Sequence, residues 1–99
     1  MAPIPVRNPR TGTYDYQIVP PDGDALDGVC ADLRAAQPAW EACGVTGRVA
    51  ALVEWRRAML ARRDEIVAAL VTDTGRYYES VLEFESVLAS IERWCRLAP

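Results

Sequence analysis

The sequence predicts a mainly α fold with a small β-hairpin at its N-terminus. Two patterns carry that prediction. Between Ile4 and Pro20, apolar and polar residues alternate around a turn cluster. From Asp24 onward, apolar residues return at steps of three and four, broken only at glycine, threonine and proline clusters. With 99 residues and no internal repeat, the chain is one domain or part of one. It divides into an extended N-terminal segment and hairpin over 1–21, and a helical segment over 22–99.

The hairpin turn is Asn8-Pro9-Arg10-Thr11-Gly12, where proline presets φ and glycine can take the positive φ that closes the turn. Tyr14, Tyr16 and Ile18 then alternate with polar neighbours, a strand with an aromatic face, and Val6 would pair across from them. Pro20-Pro21-Asp22-Gly23 stops the ladder, because proline lacks the donor. A lone hairpin is marginal in water, so this one must lean on something.

Asp24 is the expected N-cap of the first helix, whose stripe is Leu26, Val29, Cys30, Leu33, Ala36 and Trp40. Pro38 should kink or end it. Gly44 and Thr46 mark the next break, with Thr46 as cap for a second helix bearing Val49, Leu52, Val53, Trp55, Met59 and Leu60. Arg62-Arg63-Asp64 turns into a short third helix with Ile66, Val67, Leu70 and Val71, and Gly75 suits its C′ position. The last helix is expected from near Glu79 almost to Pro99. Its Val81, Phe84, Val87, Leu88, Ile91, Trp94 and Cys95 fall within one arc of about 140°.

Composition removes most chemistry. The eleven basic residues are all arginine, and there is neither lysine nor histidine. That excludes imidazole acid–base work, Ser–His or Cys–His nucleophiles, histidine metal sites and Schiff bases. The three cysteines form no C-x-x-C pair and cannot fill a four-thiolate zinc site. The net charge of −3 argues against nucleic acid as the main partner. No apolar run is long enough for a membrane span, and an odd set of thiols suits a reducing cytoplasm.

Cys30 and Cys95 lie on apolar stripes and read as small buried hydrophobes, while Cys43, in the break, reads as exposed. Glu83 and Glu85, two apart on a helix, point away from each other and cannot share a substrate. Arg56, Arg57, Arg62 and Arg63 read as a solvated face with acids as neighbours, except that Arg56 falls inside an apolar stripe and should be paired or snorkel to a rim. Trp40, Trp55 and Trp94, one per long helix, read as core anchors. Tyr77 and Tyr78 either line a groove or staple the turn.

The order of these signals resembles the N-terminal part of the aldehyde dehydrogenase superfamily. It runs from Asn8-Pro9-x-Thr11-Gly12 to an alanine-rich helix ending Pro38-Ala39-Trp40. Arg48 then heads a helix with Leu52, and Arg63-Asp64-Glu65-Ile66 leads to the Thr74-Gly75-Arg76 break and a long helix through Glu83 to Trp94. The resemblance spans Val6 to Pro99. It implies the N-terminal portion of the α/β aldehyde dehydrogenase fold, with residues 22–99 flanking a cofactor-binding domain. The full enzyme of that family oxidises an aldehyde to an acid with NAD or NADP, through a thiohemiacetal on cysteine. Tyr77-Tyr78 stands in place of a common Pro-Leu pair, and Arg56 where the family usually has a small residue.

In that family the oxyanion asparagine of a P-W-N segment, the cofactor strands, the general-base glutamate and the nucleophilic cysteine all lie beyond the stretch matched here. Asn8, the sole asparagine, sits in the hairpin turn. None of Cys30, Cys43 or Cys95 matches the nucleophile. No catalytic, cofactor-binding or metal residue is therefore carried over. The resemblance implies a structural piece, a truncated product or one part of a split enzyme, that is inactive alone and binds no cofactor alone. Its hairpin and helix faces, normally covered by the rest of a homo-oligomeric enzyme, should expose apolar surface and favour association. A second class stays open, a free-standing helical interaction module that binds a protein partner through those same faces.

Overall fold

The computed structural model describes residues 2–99. Two strands, β1 (Ile4–Arg7) and β2 (Tyr14–Ile18), precede four helices, α1 (Gly23–Ala42), α2 (Gly44–Ala61), α3 (Arg63–Thr74) and α4 (Tyr77–Leu97).

The strands pair antiparallel, with Ile4 opposite Ile18 and Val6 opposite Tyr16, so these apolar side chains share one face. The Asn8 side chain organises the turn. Its Oδ1 accepts from the Arg10 backbone N–H at 2.9 Å, and its Nδ2 donates to Asp15 at 2.9 Å. Gly12 closes the turn at φ 79°, and its carbonyl accepts from Arg7 Nε at 3.1 Å.

The hairpin leans on the junction of α3 and α4. A Cβ on Gly75 would lie 3.2 Å from the Pro9 ring and 3.3 Å from Arg10 Cγ, and Gly75 has φ 70°. Its hydrogen-only side chain thus permits both the left-handed C-cap and the close approach of the hairpin turn. Thr74 Oγ accepts from the Arg76 backbone N–H. Ser80, buried, donates to the Arg76 carbonyl. The α3–α4 turn is tied from both sides.

The core is small and lies between α2, α3 and α4. Val67, Phe84 and Leu88 are buried, with Met59, Ile66, Val71 and Val81 packed around them. Phe84 is 2% exposed.

Several local expectations shift. Asp22, rather than Asp24, caps α1, its carboxylate accepting from the Ala25 N–H at 2.8 Å. Asp24 already lies in the first turn, where a carboxylate suits the helix dipole. Pro38 does not end α1, which continues to Ala42. Only one backbone bond is lost there, and the alanines on either side sustain the helix. Thr46 is not a cap. The break falls at Gly44, with φ 65°, and Cys43 precedes α2 without a side-chain cap bond. α4 starts at Tyr77, one half-turn earlier than Glu79.

The larger correction concerns burial. Cys30 is exposed. Trp40, Trp55 and Trp94 are 42%, 52% and 65% exposed, so none anchors a core within this chain. Burial needs a second surface, and the described elements leave each of these three rings exposed.

Candidate functional site

Each arginine of the basic cluster finds an acid, and for Arg57, Arg62 and Arg63 that acid is a neighbour in sequence. Arg57 pairs with Glu54 at 2.7 Å, Arg62 with Glu65, and Arg63 with both Asp64 at 3.4 Å and Glu85 at 3.7 Å. The hydrogen bond from Arg62, and then its charge, hold the Glu65 carboxyl below the usual carboxylate range. Arg56 behaves as its place on the stripe implies. Its Nε donates to the Leu88 carbonyl at 3.2 Å, and its Nη2 reaches outward to Glu92 at 3.4 Å. The stem crosses from α2 to α4 while the head stays at the rim.

These contacts tie the four arginines of the cluster into structural pairs. Glu85 pairs with Arg63 and not with Glu83. The three thiols are free, and Cys43 donates to the Ala39 carbonyl at 3.4 Å. Among the described residues no cluster of histidine, cysteine, aspartate and glutamate could hold a metal ion.

Tyr77 packs edge-on against Tyr78, with ring centroids 5.4 Å apart. It lines an open groove of about 400 Å³ with Arg10, Arg63, Val67 and Val71. A second open groove, about 410 Å³, lies between Trp40, Val45, Val49, Leu52 and Ala98. The nearest guanidinium, Arg48, is turned to the Glu41 carbonyl at 3.2 Å. Neither groove brings a nucleophile to a base.

Open surface is therefore the dominant feature. The radius of gyration is 17.6 Å, against about 13 Å for a compact domain of this length. The accessible area is 7725 Å², against about 5,600 Å² for a compact monomer of this mass. The surplus, about 2,100 Å², includes the whole of α1, in which no residue is buried, and the hairpin residues Ile4, Tyr14, Tyr16 and Ile18. No helix among the described residues is long and apolar enough to cross a membrane.

One further residue matters at the α3–α4 junction without a strong signal in the sequence. Ser80 is buried and ties the first turn of α4 to the Arg76 carbonyl after α3. Its signal is a hydroxyl four residues after Arg76, able to back-bond to that carbonyl in the first turn.

Comparison with known proteins accounts for this open shape. The chain is 29% identical over 86 residues to N-succinylglutamate 5-semialdehyde dehydrogenase 1 of Caulobacter vibrioides, a match covering 86% of this chain and 18% of that protein. It superposes with TM-score 0.96 and 51% identity on a solved structure from Anabaena variabilis, provisionally named aldehyde dehydrogenase PutA, covering 99% of this chain and 21% of that one. The chain thus spans about a fifth of the length of these relatives. Residues 2–98 match the aldehyde dehydrogenase family over nearly the whole sequence, and the chain belongs to that family.

Proposed function

We propose that this chain serves as the N-terminal structural segment of an NAD(P)-dependent aldehyde dehydrogenase that oxidises an aldehyde to a carboxylic acid. Residues 1–21 supply the hairpin, and residues 22–99 supply helices that flank the cofactor-binding domain of an oligomeric enzyme. The carrying observation is the surplus of about 2,100 Å² of surface on a chain that matches the family from residue 2 to 98. Standard interfaces between independently folded proteins cover about 800 Å² per partner, whereas obligate interfaces cover from about 1,000 to 2,500 Å² or more per partner. A surplus of this size favours an obligate fit to the rest of an enzyme over a free-standing interaction module. A reducing cytoplasm suits its three unpaired thiols.

The residues present do not fit the dinucleotide itself. Such a site needs a strand, a glycine turn and a helix N-terminus in succession. The described strands form one antiparallel pair, and Gly44, the positive-φ glycine at a helix start, follows α1 rather than a strand. Gly12 and Gly75 are closed over by Arg7, Pro9 and Arg10. This segment's part is to hold its helix faces in place and to keep water from the surface they cover.

The test is complementation. The 99-residue chain is mixed with a separately expressed remainder of a closely similar family enzyme, and aldehyde-dependent NADH formation is followed. Activity should require both pieces. Failure to form NADH on mixing, with both pieces folded, overturns the proposal.

A further inference from the structure

The chain is anchored on both sides of α1 and hardly at all along it. On one side the hairpin is held at the α3–α4 junction, by Tyr16 on Asp73 at 3.2 Å and by the Pro9 ring lying close to Gly75. On the other side the last turn of α1 is held to α2. Arg48 donates to the Glu41 carbonyl at 3.2 Å, and Trp40 shares a groove with Val45, Val49 and Leu52. Between these anchors every residue from 23 to 37 is exposed. Among the described residues, no ion pair or side-chain hydrogen bond reaches this stretch except the Asp22 cap on the Ala25 N–H.

Such a stretch must be helical on its own account. Its length is close to the ~12–15 residues below which an isolated helix is marginal in water. Gly28 sits inside it with no neighbour within 4 Å of where a Cβ would lie, and glycine and proline are the poorest helix formers. Asp24 and Asp27, three apart, repel each other. At the C-terminal end of the stretch, Pro38 offers no N–H to the Arg34 carbonyl and disfavours helical backbone at Gln37. The helix is therefore weakest at the boundary between the free stretch and the anchored turn.

We infer that residues 23–37 form an order–disorder strap. They open to coil and re-form as one unit, bounded by Pro38, while the hairpin and α2–α4 stay folded. Any surface that covers the α1 stripe must then order these residues as well as dehydrate them, so docking and helix formation are one event. The inference is independent of the dehydrogenase reading, and its test needs no enzymatic activity.

Native-state hydrogen exchange and urea titration are followed by NMR on the isotopically labelled 99-residue chain. Amides from Asp27 to Gln37 should exchange at least about tenfold faster, against their intrinsic rates, than those of Val67, Phe84 and Leu88. In urea, the Cα shifts of residues 23–37 should reach coil values ahead of the core signals. The Asn8 amide, bonded to the Thr13 carbonyl at 2.8 Å, and the Trp40 indole should move with the core. Gly28→Ala should slow exchange in the strap about fivefold and leave the core amides unchanged. Equal protection of strap and core would overturn the inference. So would early movement of Asn8 or Trp40, or a Gly28→Ala effect shared by the core amides, since each would make α1 part of a larger cooperative unit.

Discussion

The Tyr16 hydroxyl donates to the Asp73 carboxylate at 3.2 Å, joining the hairpin to the end of α3 across 57 positions of sequence. Lost hydration, then the nearby Asp73 charge and bond, and last Asp15, push the Tyr16 phenol above its ordinary value of 10.0. The folded state therefore holds the phenol proton more tightly than the unfolded chain does. Its contribution is complete below pH 10 and declines as pH rises through the folded-state value. Backbone NMR of the hairpin should show loosening above pH 10, and Tyr16→Phe should remove that step. A variant that keeps the same alkaline transition would disprove the link.

Gly75 and Gly28 should respond oppositely to alanine. Gly75 has positive φ, and a new Cβ would press on Pro9 and Arg10. Gly75→Ala should cost about 1–2 kcal/mol from backbone strain alone, and should shift the hairpin amides. Gly28 lies inside α1 with open space around it, so Gly28→Ala should raise helicity and gain up to about 1 kcal/mol. Urea unfolding with circular dichroism distinguishes the two signs.

Arg56→Ala removes the side-chain donor to the Leu88 carbonyl and the stem that bridges α2 and α4. It should destabilise by about 1–2 kcal/mol. Glu92→Gln should change stability by less than about 0.5 kcal/mol, since the pair lies at the solvent-exposed rim. Chemical denaturation of the two variants checks the ranking, and equal losses would mean that the ion pair and not the carbonyl contact holds Arg56.

Phe84→Ala should cost about 3–5 kcal/mol and abolish a cooperative melt, because Phe84 is the most buried member of a three-residue core. Leu26→Ala, on the open α1 face, should leave the midpoint nearly unchanged in this chain. Calorimetry of both variants is the measurement. A Leu26→Ala loss as large as that of Phe84→Ala would show that α1 packs on the core after all.

Much of this fold is legible one segment at a time. The Asn8–Gly12 turn, the Tyr14-Tyr16-Ile18 alternation, the Gly44 break and the Gly75 cap obey local rules of φ, side-chain back-bonding and period. Helix starts were less legible. Asp22 and Asp24 both offer a capping carboxylate, and only the backbone at Asp22 is extended enough to use it. Arg56 was legible as an anomaly on its stripe, but its acceptor, the Leu88 carbonyl, lies 32 residues away.

What the sequence by itself determined, then, is the order of elements, the turns between them, the family, and the absence of lysine and histidine from the chemistry. What only the tertiary structure decided is which apolar stripe becomes core. The stripes of α1 and α4 look alike on paper, yet Phe84 and Leu88 are buried while Leu26, Leu33 and Trp40 face outward. A stripe states that a surface seeks to leave water. Burial also needs an opposing surface at contact distance, and here α2 and α3 supply one to α4 but leave the α1 stripe open.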